Sequence, residues 1–110
     1  MNSDKREKRQ MERKDFEAFF DILDDDKKAF ALDTLDEYLY FKKQIEKLRE
    51  LPLIQVSKTN PEMQRTTPAG KMIKEYSQVV DAKRATLLRI LYRVESTAAD
   101  ELLEKLAEFE

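Results

Sequence analysis

The feature that most constrains this chain is the run from Thr67 to Val94, in which apolar side chains recur every three or four residues. This spacing predicts one long helix with a single apolar face, and no proline or glycine interrupts it after Gly70. Thr67 suits the N-cap and Pro68 the first helical position, where a missing N–H costs nothing. An apolar face roughly 40 Å long, at ~1.5 Å per residue, requires a partner helix. The face comprises Ala69, Met72, Ile73, Tyr76, Val79, Val80, Leu87, Ile90, Leu91 and Val94.

A second long helix is predicted from Lys27 to Glu50, ending before Pro52, with Asp24–Asp26 supplying an N-cap and favourable charge at its start. Residues 15–54 carry a net charge of −5 and residues 55–93 a net charge of +5. This difference favours antiparallel packing of the two helices, with an acidic partner for Lys83. The apolar side is expected to hold Phe30 or Ala31, then Leu35, Tyr38, Leu39, Phe41, Ile45 and Leu48.

Shorter elements are expected on either side of these helices. Residues 15–23 predict a short helix with an aromatic face, and residues 95–110 an acidic helix capped by Ser96 or Thr97. An isolated helix of about 14 residues is marginal, so this last helix is expected to dock on its own chain or on a partner. Between the long helices, Leu53–Val56 is β-prone, either extended or an edge strand, and Ser57–Thr66 is polar and turn-like.

The predicted fold class is therefore all-α: an antiparallel hairpin of two long helices with a short N-terminal and a short C-terminal helix, in an oligomer. With 110 residues the chain forms one domain by size. It divides into a charged N-terminal arm (1–14), a helical hairpin and oligomerisation core (15–95) and an acidic C-terminal helix (96–110).

Composition argues against catalysis. The sequence contains no His and no Cys, so no nucleophile–base pair of the usual kind can be assembled. No phosphate loop, zinc spacing or dinucleotide motif is present, and Asp24–Asp26 lack the spacing of a calcium loop. We therefore expect no enzymatic activity, no cofactor and no metal. No apolar run approaches the ~18 residues of a membrane span, so a cytoplasmic location without membrane contact is expected.

Two groups of residues are candidates for binding. Cations of the arm and of the connector between the long helices are suited to neutralise DNA phosphates, and acidic residues in the arm dilute this signal. The DNA-binding candidates are Lys5, Arg6, Lys8, Arg9, Arg13, Lys14, Lys58, Arg65 and Lys71. Apolar and aromatic residues beyond the needs of two-helix packing are candidates for an oligomer or partner interface. They are Tyr38, Phe41, Tyr76, Leu87, Leu91, Leu103 and Leu106.

The order of these segments resembles the phage terminase small subunit family. A phenylalanine-bearing first segment precedes a long helix, and a polar connector opens the second helix with Pro68, Ala69 and Lys71, followed by Tyr76. The resemblance spans roughly residues 16–94. It implies a DNA-packaging adaptor that forms a ring in the host cytoplasm, binds double-stranded DNA and recruits the large terminase subunit. Many family members carry a helix-turn-helix before the long helices, but only a short aromatic segment and a charged arm stand there.

Two other interpretations stay open. One is a small helical interaction module or regulator that binds a protein partner without DNA. The other is a coiled-coil structural dimer, against which the breadth of the apolar face and the position of Lys83 argue.

Overall fold

A computed structural model describes residues 11–52, 54–56 and 64–109. The described chain is mainly helical, with two long helices packed together, as the sequence predicted. A pair of three-residue strands lies in the connector and was not part of the predicted all-α class. In chain order the elements are two 3-10 segments (Arg13–Asp15 and Glu17–Phe20), α1 (Asp25–Leu48), β1 (Ile54–Val56), β2 (Gln64–Thr66), α2 (Pro68–Tyr92) and α3 (Ser96–Glu108).

Helix α1 begins where the aspartate run supplies its cap. The Asp24 carboxylate accepts a hydrogen bond from the backbone N–H of Lys27 at 2.9 Å, which satisfies one of the unpaired N–H groups of the first turn. Asp25 and Asp26 follow inside that turn, where negative charge is favourable. The predicted aspartate cap is confirmed, and the helix starts two residues earlier than the predicted Lys27.

Helix α2 begins as its sequence predicted. The Thr67 hydroxyl accepts a hydrogen bond from the Gly70 N–H at 3.2 Å, and Pro68 occupies the first turn. The same hydroxyl donates to the carbonyl oxygen of Pro52 at 2.6 Å. Thr67 therefore ties the start of α2 to the chain that follows α1, in addition to capping the helix.

The two strands pair antiparallel between the long helices. Ile54 lies opposite Thr66, and Val56 lies opposite Gln64. The extended segment predicted at Leu53–Val56 is thus a strand from Ile54 onward, while Leu53 and residues 57–63 lie outside the described residues. The prediction that all of Ser57–Thr66 is turn-like is wrong for Gln64–Thr66. Its partner strand lies ten residues earlier, and local sequence carries no signal for such pairing.

Helices α1 and α2 run antiparallel, since later residues of α1 meet earlier residues of α2. The Phe41 and Tyr76 rings pack edge to face with centroids 5.1 Å apart. About one helical turn nearer the start of α1, Glu37 pairs with Lys83, and its Oε1 lies 2.9 Å from the Lys83 Nζ. The prediction that Lys83 has an acidic partner on the first long helix is confirmed.

The aromatic segment before α1 is not the single helix that was predicted. Its N–H groups bond to carbonyls three residues back, as from Phe19 to Phe16 at 3.1 Å, so it forms 3-10 turns. A segment this short gains little from α-helical hydrogen bonding, and docking of its rings decides its geometry. Phe16, Phe20 and Leu23 are buried against the hairpin.

The cap predicted for α3 is also wrong. Neither Ser96 nor Thr97 caps it; Glu95 does, and its side chain accepts a hydrogen bond from the Thr97 N–H at 3.1 Å. Glu95 has an extended backbone after the two-residue turn that follows α2, so this turn fixes the capping position. This places the helix start at Ser96.

Helix α3 docks on its own chain. Leu102 and Leu106 are buried in the core, and the Phe109 ring packs edge to face on Phe16 at 5.6 Å. The Tyr92 hydroxyl donates to Asp100 at 2.6 Å, joining the end of α2 to α3. The 3-10 segments and α3 therefore meet and together cover one side of the hairpin.

The burial pattern decides two points that the sequence left open or predicted otherwise. Ala31 is fully buried whereas Phe30 is 57% exposed, so Ala31 is the core residue of that pair. Met72 and Val94, predicted on the apolar face of α2, are 38% and 46% exposed. These side chains lie at the margin of the apolar face, and the described residues that pack on its centre do not cover them.

Candidate DNA-binding and assembly surfaces

Only part of the predicted DNA-binding arm belongs to the described structure. Lys5, Arg6, Lys8 and Arg9 lie outside it. Arg13 Nε lies 3.3 Å from an oxygen of Asp36 and 3.8 Å from one of Glu17, and Lys14 pairs with Glu12 at 3.4 Å. Arg13 thereby attaches the arm to α1, so its charge is already shared with carboxylates of its own chain.

Of the three DNA-binding candidates in and beside the connector, only Lys71 has both its backbone and its side chain described. Lys58 lies outside the described residues, and Arg65 stands in β2 with only its backbone described. Lys71 is exposed in the first turns of α2. DNA contact by Lys58, Arg65 and Lys71 of the connector stays a prediction.

A basic stripe, Lys71, Lys74 and Arg89, lies on the exposed side of α2. All three side chains are exposed, and none forms an ion pair within the described residues. At 100° per residue they fall opposite Val80 and Leu87, which are buried. The sequence prediction named only Lys71. Helical position relative to the apolar face could have placed Lys74 and Arg89 on the same side as Lys71. It could not show that these cations form no ion pair, since the exposed Glu75 lies four residues after Lys71.

The other cations of α2 contrast with this stripe. Lys83 is neutralised by Glu37 across the hairpin, and Arg84 by Asp81 on the same helix at 2.8 Å. The cations of this region that form no ion pair within the described residues are therefore the basic stripe and Arg93, just past the helix end, and Glu75 is an exposed carboxylate beside the stripe.

An apolar groove opens between the start of α1 and the end of α2. Phe30, Ile90 and Val94 form its apolar walls, and the groove encloses about 330 Å³. Asp26 and Lys27 stand on the α1 rim and Arg93 on the α2 rim. Lys27 lies 3.9 Å from Asp24, whereas Asp26 and Arg93 form no ion pair within the described chain. The sequence prediction of an interface did not include these residues.

The predicted interface residues separate into two groups. Tyr38, Leu87, Leu91 and Leu106 are buried in the core of their own chain, so another molecule has no access to them in this fold. Phe41 and Tyr76 are half-buried and pack on each other, and Leu103 is 46% exposed. The residues of both groups recur with the same helical spacing. That spacing does not show whether a residue packs in the core of its own chain or contacts another molecule.

A second depression, of about 420 Å³, lies where the 3-10 segments meet α1. Its walls carry charges of both signs, including Lys28, whose ammonium lies 2.7 Å from a carboxylate oxygen of Asp21. That hydrogen bond, with the charge of Asp21, raises the pKa of Lys28 above its ordinary value. The depression is lined by ion pairs that join the N-terminal segment to α1, so we assign it a structural role.

The acidic run before α1 serves the helix. Asp24 caps it, and across the described residues no group of three or more carboxylates converges in a way that would hold a metal ion. No helix in that same part of the chain is long and apolar enough to cross a membrane.

Comparison with family models, curated proteins and solved structures gave no significant match for this chain. Function must therefore be argued from its own surfaces: the basic stripe and the apolar groove.

Proposed function

We propose that this chain is a non-enzymatic adaptor that binds duplex DNA and assembles with copies of itself, the role implied by its resemblance to terminase small subunits. The observation that carries the proposal is the basic stripe of α2. Lys71, Lys74 and Arg89 are exposed and unpaired within the described residues, on the side of the helix away from the core. The absence of His and Cys from the sequence supports a binding role over a catalytic one.

The stripe has dimensions suited to a duplex. Lys74 and Arg89 are separated by about 22 Å along the helix at ~1.5 Å per residue. The major groove is ~12 Å wide, so long cationic side chains at the two ends can reach phosphates on both of its borders. Between them Gln78, Ala82 and Ala85 present small or neutral side chains toward the same side, and Glu75 adds one exposed carboxylate near Lys71. Contacts of this kind position a protein on DNA without reading its sequence.

The test replaces the charge of the stripe and measures the salt dependence of DNA binding. In the variant Lys71→Gln, Lys74→Gln, Arg89→Gln we expect weaker binding to every duplex sequence. The slope of log K against log salt should become shallower by about 3, since each neutralised phosphate contributes ~0.9. Fluorescence anisotropy of a labelled duplex over a salt series measures both quantities.

The matched control removes three exposed cations from the end of α1 and its C-cap instead: Lys43→Gln, Lys47→Gln, Arg49→Gln. It changes the net charge equally, so a general charge effect would weaken both variants alike. Preserved binding in the control and loss in the stripe variant support the proposal. Equal loss in both variants, or absence of binding by the wild-type chain at low salt, contradicts it.

The second candidate is a helical interaction module without DNA binding, favoured by the apolar groove and by the acidic α3. Recruitment of a large terminase subunit would use such a surface as well, so the two candidates differ in DNA binding. The module predicts no shift of duplex DNA at low salt and retention of one protein partner. The adaptor predicts that the shift occurs with no partner present.

A further inference from the structure

We infer that the open face of the α1–α2 hairpin, containing the apolar groove, is the contact with a second copy of this chain, and that two copies pack there about a two-fold axis parallel to the helices. This inference specifies the surface and the symmetry of the self-assembly in the proposed function. It rests on the proposed function only in assuming that copies of this chain associate. It is independent of DNA binding by the basic stripe.

The exposed apolar side chains of this face are grouped rather than scattered. Phe30 is 57% exposed and Val94 46%, and the half-buried Ile90 lies between them. Met72, 38% exposed, falls on the same side of α2 by helical position. Grouped apolar exposure with charged residues at its rim is typical of an interaction surface, in contrast to single scattered apolar residues.

The composition of residues 1–10 does not suit the groove. Residues 1–10 contain a single apolar side chain, Met1, among six charged ones. Filling about 330 Å³ between Phe30 and Val94 requires several apolar groups. A segment of that composition would bring charges into the groove without pairing for them.

The charges at the rim of the groove favour a second copy of this chain as its binding partner. Asp26 stands on the α1 rim and Arg93 on the α2 rim, with the apolar walls between them, and neither forms an ion pair within the described residues. A two-fold axis parallel to the helices lays α1 of one copy over α2 of the other. Asp26 then faces the partner's Arg93, and Arg93 faces the partner's Asp26. A surface that carries the same two charges therefore compensates both rim charges at once.

The same axis also places opposite charges next to each other in the middle of the face. Glu37 and Lys83, 2.9 Å apart in one chain, would meet the partner's Lys83 and the partner's Glu37, which gives four alternating charges. The α1 helix of one copy would lie antiparallel to α2 of the other, so opposite helix ends become neighbours. Packing of this type is that of an antiparallel four-helix bundle.

A contact with two-fold symmetry closes on itself. It uses the same patch on both copies, so it yields a dimer and leaves none of that patch for a third copy. The expected species is thus twice the 13.1 kDa chain, and a larger ring would require a different surface.

A charge-reversal series tests the inference by sedimentation at several protein concentrations. We expect a dimer for the wild-type chain and a shift to monomer, by at least tenfold in the dissociation constant, for Asp26→Arg and for Arg93→Asp. The double variant Asp26→Arg, Arg93→Asp restores opposite charges across the axis and should recover the dimer. Restoration excludes misfolding as the reason for either single loss.

Asp25→Arg is the matched control. Asp25 shares the first turn of α1 and the same interaction with the helix dipole, but it does not line the groove. Its dimer should be unchanged. A wild-type monomer at all concentrations, single variants that dimerise as well as wild type, or a double variant that stays monomeric would each overturn the inference.

DNA binding separates this inference from the proposed function. Normal salt-dependent binding by a chain that stays monomeric would overturn the dimer contact alone. A groove-mediated dimer that binds no duplex would overturn the DNA-binding function and keep the inference.

Discussion

The two sides of the α1–α2 hairpin are built from the same helices and differ in what covers them. On one side the 3-10 segments and α3 meet through Phe16 and Phe109, and Phe20 and Leu102 are fully buried. On the other, Phe30 and Val94 stay about half exposed. The 3-10 segments and α3 therefore complete one core, and among the described residues the other side keeps exposed apolar side chains.

The largest expected effect is on the free energy of unfolding, and it differs between substitutions on the two sides of the hairpin. Phe20→Ala removes a fully buried ring and should lower the free energy of unfolding by about 3–5 kcal/mol. Phe30→Ala should change it by no more than about 0.5 kcal/mol in dilute monomer, since the ring is largely in water. Urea denaturation at low micromolar concentration measures both. Equal losses would mean that Phe30 belongs to the core of the single chain.

Protein concentration sharpens the same comparison. If the open face is buried between copies, the apparent stability of the wild-type protein should rise by about 1.4 kcal/mol of dimer, or about 0.7 kcal/mol of chain, per tenfold increase in concentration, because only the folded state associates. Thermal unfolding across a hundredfold range measures this. Phe30→Ala should remove the dependence, while a variant of the covered side, such as Leu102→Ala, should keep it at lower overall stability. A concentration-independent wild-type transition would contradict the open-face dimer.

Features whose cause is local in sequence were the ones that could be predicted. Asp24 and Thr67 cap helices through atoms three residues away, so their side chains and neighbours contain the required information. The pairing of Lys83 with Glu37 was predictable in kind because a cation on an apolar face next to an acidic helix has few alternatives. The helical hairpin follows from these signals and from helical periodicity.

Features decided by packing could not be read in advance. Phe30 and Ala31 are adjacent, and packing of α1 in the fold buries the smaller side chain and leaves the larger one outside. Docking of Phe16 and Phe20 replaces an α-helix by 3-10 turns. For the surfaces, periodicity identified apolar residues such as Leu87 as interface candidates, although the fold buries them. The basic stripe required knowledge of which cations find carboxylates.

A smaller effect compares ion pairs on the two sides. Glu37 pairs with Lys83 on the open side and Asp36 with Arg13 at 3.3 Å on the covered side, and all four side chains keep contact with water. Glu37→Gln and Asp36→Asn should each cost about 0–1 kcal/mol in dilute solution, reduced by salt. Only Glu37→Gln should cost more as concentration rises, since only that pair lies within the proposed contact. Urea denaturation at two concentrations tests this, and equal behaviour of the two variants would argue against the contact.

The smallest effect concerns the junction of α2 and α3. A hydrogen bond to Asp100 and the charge of that carboxylate raise the pKa of Tyr92 above its ordinary 10.0. A pKa raised by folding stabilises the protein below the pKa of the unfolded chain, and this contribution is lost as pH rises through the folded value. Docking of α3 should therefore weaken under alkaline conditions.

Tyrosinate absorbance, taken as the difference between wild type and Tyr92→Phe, follows this group alone. Asp100→Asn should lower the pKa of Tyr92 toward 10.0, whereas Glu101→Gln, which removes a neighbouring charge from the same helix, should change it less. A Tyr92 transition unmoved by Asp100→Asn would show that the hydrogen bond is not the cause. Ile90 lies on the opposite side of α2 from Tyr92 by helical position, so alkaline loosening of α3 should spare the groove. Sedimentation at high pH should then still detect association through the open face.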